Sequence, residues 1–262
     1  MNEEGTTSAS VLLSVAYDGR DFHGFAPQPG QRTVAGELLG AIRAIDPRVP
    51  DVRGASRTDA GVHAKDQRVA FDPSRDFPLT AWSKGLRRHL PESLAIRAAW
   101  HVPHGYSPRV HAIAKTYRYL LLCDENPDPL LIGRVFRVPE LAADPTAVIE
   151  RMQAEATSLV GTHDFAAFRD ALDARLTTTR TLKRFEVSRS LDDPRIVRID
   201  VTGDGFLYHM VRILVGTLVD VARSRLPAGA AKRALESKDR RAAGVTAPPD
   251  GLYLERYELD GV

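Results

Sequence analysis

Two hydrophobic periods take turns along this chain, and their order predicts its architecture. Val11-Leu-Leu-Ser-Val-Ala-Tyr17 reads as a strand that Asp18-Gly19 closes, because an apolar run ending in a turn pair suits a buried strand. A loop rich in Gly and Pro follows, from Gly19 to Gln31. Thr33 is placed to cap a helix whose apolar face carries Val34, Leu38, Ile42 and Ile45, and Pro47 and Pro50 stop it. A short strand leads to Ser56, Gln67 to Phe71 predicts another, Leu79 to Leu90 a helix with a basic edge, and Leu94 to Val102 a strand. Strand, helix, strand, strand, helix, strand is the order of a ferredoxin-like unit.

The second half repeats the theme. Thr116 to Leu122 predicts a strand. Asp144-Pro145 supplies an N-cap and a first-turn proline for a helix with Val148, Ile149, Met152, Ala156 and Leu159 on one face. Arg180 to Ser190 and Ile196 to Thr202 predict a hairpin joined by Leu191-Asp-Asp-Pro194. Phe206 to Ala222 predicts a strongly apolar helix and Leu252 to Leu259 a closing strand. Ser14 to Phe22 and Ile199 to Phe206 echo each other as strand, Gly-containing turn and Phe. The expectation is an α/β (α+β) fold of two ferredoxin-like halves, residues 10–105 and 106–262, behind a loose tail at 1–9. The halves share one continuous, mostly antiparallel sheet with helices on one face and a cleft on the other.

Composition narrows the function. The single cysteine, Cys123, permits no intramolecular disulfide and no cysteine-based zinc site. The acidic, polar start lacks the basic and apolar regions of a signal peptide. No run approaches the roughly 18 apolar residues of a membrane span, and the expected location is the cytoplasm. Net charge is only +2, yet residues 51 to 120 hold 12 Lys/Arg against 6 Asp/Glu, a local +6 that leaves −4 for the rest. A local positive field suits an anionic substrate such as phosphate or RNA.

That basic third surrounds the stretch Arg57-Thr-Asp-Ala-Gly-Val-His63. An Asp presented beside a turn glycine, with a guanidinium nearby to keep it ionised, is a nucleophile or a base; the same residues also suit an ordinary polar turn. Asp59, with a reference pKa of about 3.9, fits a nucleophile better than an acid. Arg212 sits in a helix otherwise fit for burial. Helix geometry leaves two places for it, against a carboxylate or facing solvent. Tyr117 and Tyr119 share a sheet face with Arg118 opposite, either stacking a nucleobase or packing as strand residues. A metal pair of Asp59 and His63 has too few ligands. No phosphate-binding or dinucleotide glycine loop is present, so no cofactor and no metal are expected.

Six blocks in order carry a resemblance: Tyr17-Asp-Gly-Arg-Asp-Phe-His-Gly24, Ser56-Arg-Thr-Asp-Ala-Gly-Val-His-Ala64, Tyr106-Ser-Pro-Arg109 with Lys115-Thr-Tyr-Arg-Tyr119, Gly161-Thr-His-Asp-Phe165, Gly205-Phe-Leu-Tyr-His-Met-Val-Arg212 and Ala247-Pro-Pro-Asp-Gly-Leu252. Together they resemble tRNA pseudouridine synthases of the TruA class. The resemblance implies Asp59 as catalytic nucleophile and Tyr117 stacked on the target uracil. It implies Arg57 filling the space of the flipped base, Arg212 pairing with Asp59, and Leu252 as an apolar wall. It further implies a homodimer, no cofactor, and action on uridines 38–40 of the tRNA anticodon arm. Lys65, Arg68, Arg109 and Lys115 are candidates for the RNA backbone. The sequence departs from the family pattern at Gly24-Phe-Ala-Pro-Gln28 and at Tyr106 and Pro108, which bears on substrate range more than on chemistry. A non-catalytic RNA-binding module, a metal-free hydrolase using Asp59 and His63, and a synthase with another uridine target stand as alternatives.

Overall fold

Alternation and capping set the elements that a computed structural model shows for residues 9–261. In chain order these are β1 (Ala9–Tyr17), α1 (Val34–Ile45), β2 (Arg53–Gly54), β3 (His63–Phe71), α2 (Leu79–Ser83), β4 (Leu94–Pro103), β5 (Ala112–Leu122), β6 (Phe136–Arg137), α3 (Pro145–Thr157), β7 (Gly161–Asp164), β8 (Thr179–Arg189), β9 (Ile196–Gly203), α4 (Met210–Ala222), α5 (Ala230–Ser237) and β10 (Leu252–Leu259). The chain is thus of the mixed α/β class expected. The expected tail lies outside the described residues except for Ala9, which opens β1. The described residues group into two compact units, 9–113 with 254–261, and Ala114–Tyr253.

In the first unit β1 is the inner strand, paired antiparallel with β3 on one side and β4 on the other, and β2 pairs with β3. Val11, Leu12, Leu13 and Val15 are consequently all buried. The Thr33 hydroxyl accepts the Gly36 N–H at 3.3 Å and opens α1 as its sequence predicts. The helix expected over Leu79 to Leu90 is broken. It ends at Ser83, Lys84 leaves helical φ, and Gly85–His89 continue as a 3-10 turn. Gly85 in the helix interior favours that break, because glycine costs about 1 kcal/mol there relative to alanine.

In the second unit β9 is the inner strand between β5 and β8, and β7 pairs with β8, all antiparallel; β6 runs parallel to β5. Residues paired across strands share a face. One face carries Tyr117, Val201 and Phe185, all buried. The other carries polar groups: the Arg118 guanidinium donates to both Asp200 oxygens at 2.7 and 3.2 Å, and Arg198 lies 3.1 Å from the same carboxylate. Asp144 caps α3 through the Ala147 N–H at 3.0 Å. α4 starts four residues later than the apolar run suggests, because His209 takes a left-handed φ of 56° and residues before it form a turn. α5 escaped the sequence reading. Its first turn is held from α3 by the buried Glu155 carboxylate, which accepts from Gly229 and Ala231 N–H at 2.5 and 2.9 Å. Burial pushes the Cys123 thiol up to about 11, which keeps it protonated and inert.

An ion pair ties the first unit together. Arg53 on β2 grips both oxygens of Asp72, just past β3, at 2.6 and 2.8 Å, and Asp72 also accepts from the Ser10 hydroxyl and the Gly105 N–H. Burial alone would raise the Asp72 pKa, but the Arg53 and Ser10 hydrogen bonds outweigh it and hold the carboxyl at about 2. A carboxyl depressed in the folded state stabilises above its unfolded pKa, and the benefit fades as pH falls through the folded value. The wild-type protein should therefore lose stability between about pH 4 and pH 2. Asp72→Asn should be less stable at pH 7, by about 2 kcal/mol before the discount for solvent screening, and should show a shallower acid slope. Denaturant midpoints at pH 6 and pH 3 compare the two; parallel slopes would remove Asp72 from this role.

Candidate active site

The loop from Ser56 to Val62 joins β2 to β3, and its shape is set from below. Gln67 on β3 is fully buried. Its amide donates to the Ser56 carbonyl at 2.9 Å and accepts the Ser56 N–H at 3.3 Å, so a side chain continues the strand pairing that the backbone gives up. The Thr58 hydroxyl, also buried, shares a 2.8 Å hydrogen bond with the Tyr17 hydroxyl, and the Thr58 carbonyl accepts the Phe25 N–H at 3.0 Å. The Val62 N–H donates back to the Asp59 carbonyl at 3.2 Å, and Gly61 closes that turn at φ 79°, a left-handed conformation that glycine adopts without a Cβ penalty. With Ser56 and Thr58 fastened to the interior, Asp59 is held half-exposed at the tip.

Arg57 is exposed, and among the described residues no hydrogen bond or ion pair joins it to Asp59. The His63 ring is 3 % exposed, its Nδ1 accepts the Gly19 N–H at 3.1 Å, and Asp18 lies 3.3 Å away. Asp18 is itself held well below the usual carboxylate range by its hydrogen bonds from Arg20, with the His63 charge assisting.

In the second unit Tyr119 and Arg212 hold the loop 247–251, which leads into Leu252. Tyr119, two residues from Tyr117 on the same face, donates its hydroxyl to the Pro248 carbonyl at 2.6 Å, and burial drives its phenol far above the ordinary value. Arg212, in the first turn of α4, donates Nε to the Ala247 carbonyl at 2.7 Å, and the Ala247 N–H returns to the Arg212 carbonyl at 3.0 Å. Arg212 is half-buried, between the two places its helix allowed. The Leu252 N–H donates to the Pro249 carbonyl at 2.8 Å, and its side chain is buried. The Tyr117 ring meets Phe206 edge-on at 5.2 Å between centroids. The sequence reading took Phe206 as the first residue of a helix and as part of a repeated turn, and did not foresee its contact with Tyr117.

The four backbone candidates differ in availability. Arg68 is engaged twice within the protein, on Asp66 at 2.8 Å and over the Trp100 ring at 4.9 Å. Lys65 is exposed and pairs with Glu255 at 3.1 Å, a surface bond that a phosphate can displace. Arg109 is exposed and Lys115 half-buried. Among the described residues no group of three or more His, Cys, Asp or Glu could hold a metal ion, and no helix is long and apolar enough to cross a membrane.

Comparison with known proteins gives a consistent result. A family model described as tRNA pseudouridine synthase matches residues 156–260. The curated tRNA pseudouridine synthase A of Acetivibrio thermocellus is 37% identical over 245 residues, covering 94% of this chain and 97% of that protein. The proteins of the same name from Bacillus velezensis and Bacillus subtilis are 38% and 35% identical, covering 93% and 95% of this chain and 96% and 99% of their own lengths.

The fastening of the Asp59 loop is testable without any assay of activity. Gln67→Ala would orphan the N–H and C=O of Ser56, and should destabilise the protein by about 1–3 kcal/mol. Hydrogen exchange at the amides from Ser56 to Thr58 should accelerate more than the global loss of stability accounts for. Exchange that tracks global stability alone would mean the loop is held by something else.

Proposed function

Because this chain belongs to the tRNA pseudouridine synthase family that those near full-length relatives define, we propose that it acts through Asp59 as nucleophile on a uridine flipped out of the anticodon arm. The chain is an isomerase of tRNA uridine. The observation that carries the finer reading is the half-exposed Asp59 carboxylate on a loop whose neighbours are fastened inward. Preorganised placement is what a nucleophile needs, since a reacting group held in position removes most of the entropic cost of meeting its target.

The chemistry asks little beyond placement. Uridine and pseudouridine are isomers, so no electrons are gained or lost and no co-reactant is consumed. The glycosidic C–N bond breaks, the uracil turns, and its C5 bonds to the ribose while the C5 proton leaves. Asp59 serves by adding to the ribose C1′ or to the base, or by assisting glycal formation. Tyr117 stacks on the uracil, and its hydroxyl or a water takes the C5 proton. Stacking is worth about 1–3 kcal/mol per base, which offsets much of the few kcal/mol needed to flip a nucleotide. Leu252 walls the base, and enclosure among buried groups keeps the detached uracil from escaping. Arg212, oriented by the Ala247 carbonyl, stands by resemblance among the substrate-binding residues. Arg57, exposed, enters the space the base vacates. By resemblance the targets are uridines 38–40, and the working form is a cytoplasmic homodimer without metal or cofactor.

Purified protein and tRNA transcripts tritiated at uridine C5, with nothing added, should release tritium. Asp59→Asn should bind the transcript and release none; an Asp59→Asn variant with full activity would falsify the assignment. Tyr117→Ala should lower kcat/KM roughly 10- to 100-fold, the equivalent of one stacked base. Tyr117→Phe, which keeps the stack, separates that loss from any role of the hydroxyl.

A further inference from the structure

Arg180 stands out among the arginines of the second unit. Its Nη1 donates to the Thr179 and Thr177 carbonyls at 2.6 and 3.2 Å. Those two bonds orient the guanidinium plane. Among the described residues no acceptor takes Nε or Nη2, and no carboxylate lies within ion-pair distance. The Nε–Nη2 edge is a fork that matches two oxygens of a phosphate. Neighbouring arginines are otherwise occupied: Arg175 donates to the Phe206 carbonyl and sits 3.6 Å from Asp173, and Arg169 donates to the Arg175 carbonyl at 3.2 Å. Burial first, and then the positive charge of Arg175, draw the Arg180 pKa below its ordinary value, while the Asp204 and Asp173 carboxylates oppose them without reversing the direction. A bound anion favours a half-buried guanidinium in its charged form.

Its position connects it to the base site. A Cβ built on Gly205 would lie 3.4 Å from Cδ and Nε of Arg180, so the side chain passes directly across that glycine. The next residue, Phe206, packs on the Tyr117 ring. Strand register gives the same answer. Lys115 pairs with Gly203 and Gly203 with Leu182, so these share a face. Tyr117 is two residues from Lys115, and Arg180 is two residues from Leu182 along an unbroken register with β7. Arg180 therefore projects from the face that bears Tyr117, at the end of the sheet where Lys115 lies.

We propose that Arg180 binds a phosphate of the RNA backbone next to the uridine that stacks on Tyr117, and so fixes which nucleotide reaches the base site. The proposal rests on the reading of this chain as a tRNA-modifying enzyme and deepens it. The alternative is that Arg180 only closes the turn at 177–179, and the two differ in their response to salt. Each phosphate neutralised by a protein cation contributes about one to the slope of log K against log salt.

The test measures binding of an unmodified tRNA transcript across a salt series, with tritium release in the same preparations. Arg180→Gln should lower the salt slope by about 1, raise KM roughly tenfold and leave kcat within about twofold, as expected when uniform substrate binding is removed. Lys232→Gln, on the exposed side of α5, should change none of these. Should Arg180→Gln fail to fold, Arg180→Lys keeps the charge without the fork and should retain the slope while raising KM severalfold. An unchanged slope and KM in folded Arg180→Gln, or an unchanged KM in Arg180→Lys, overturns the proposal. Absence of tritium release by the wild-type protein overturns the functional reading itself, and this inference with it.

Discussion

One buried amide governs where the loop that carries Asp59 goes. Gln67 sits with no solvent exposure on a strand whose other buried positions, His63 apart, are apolar. Buried and unpaired, an amide would cost several kcal/mol; paired with both backbone groups of Ser56, it repeats the geometry of a strand neighbour. The loop must leave β2 at Ser56 and return at His63, and the Thr58–Tyr17 hydroxyl bond fixes the middle of that path. Asp59 needs no side-chain contact with Arg57 to be positioned, since its backbone is already determined on both sides.

The second unit follows a different logic. Its site groups are carried by regular elements, with Tyr117 on a strand and Arg212 in the first turn of a helix. The loop 247–251 is the adaptable part, and hydrogen bonds from Tyr119 and Arg212 to consecutive carbonyls hold it. Because the sheet has a face of ion pairs and a face of buried rings, a one-residue slip of β5 on β9 would send Tyr117 to the ionic face. The Arg118–Asp200 pair opposes that slip, since it would carry the Arg118 charge among apolar side chains and away from Asp200. The ion pair thereby protects the register that keeps Tyr117 among the buried rings.

Much of this was legible from residue order alone. The strands at 11–17 and 196–202, the capping by Thr33 and Asp144, and the turn at Gly61 are local properties, and local chemistry announces them. What the chain concealed depends on partners distant in sequence. The break after Ser83 and the late start of α4 came from backbone conformations that periodicity does not encode. Glu155 is buried because α5 supplies two N–H groups to its carboxylate. Arg57 and Asp59 are two residues apart, which suggested an ion pair, yet none joins them among the described residues. Gln67 carried no signal, since only the folded loop reveals what its amide completes.

Counting charge misleads for the same reason. A window of +6 around Asp59 pointed toward RNA, but several of the arginines in it serve the protein. Arg53 locks Asp72, Arg68 covers Trp100 and Arg118 holds Asp200. Elsewhere Arg195 alone engages Asp193, Asp128 and Asp124. A guanidinium already facing carboxylates contributes little to the field felt by a phosphate, because the pair is close to neutral at distances beyond a Debye length of about 8 Å. The cation that matters for recognition is one that is oriented but not neutralised. Arg180 lies well outside the basic third, is anchored by carbonyls that carry no net charge, and has no carboxylate within ion-pair distance among the described residues, though Asp204 and Asp173 act on it from farther away. Recognition of a polyanion by a nearly neutral chain thus depends on where compensation is withheld, and the composition of any segment is a weak guide to that.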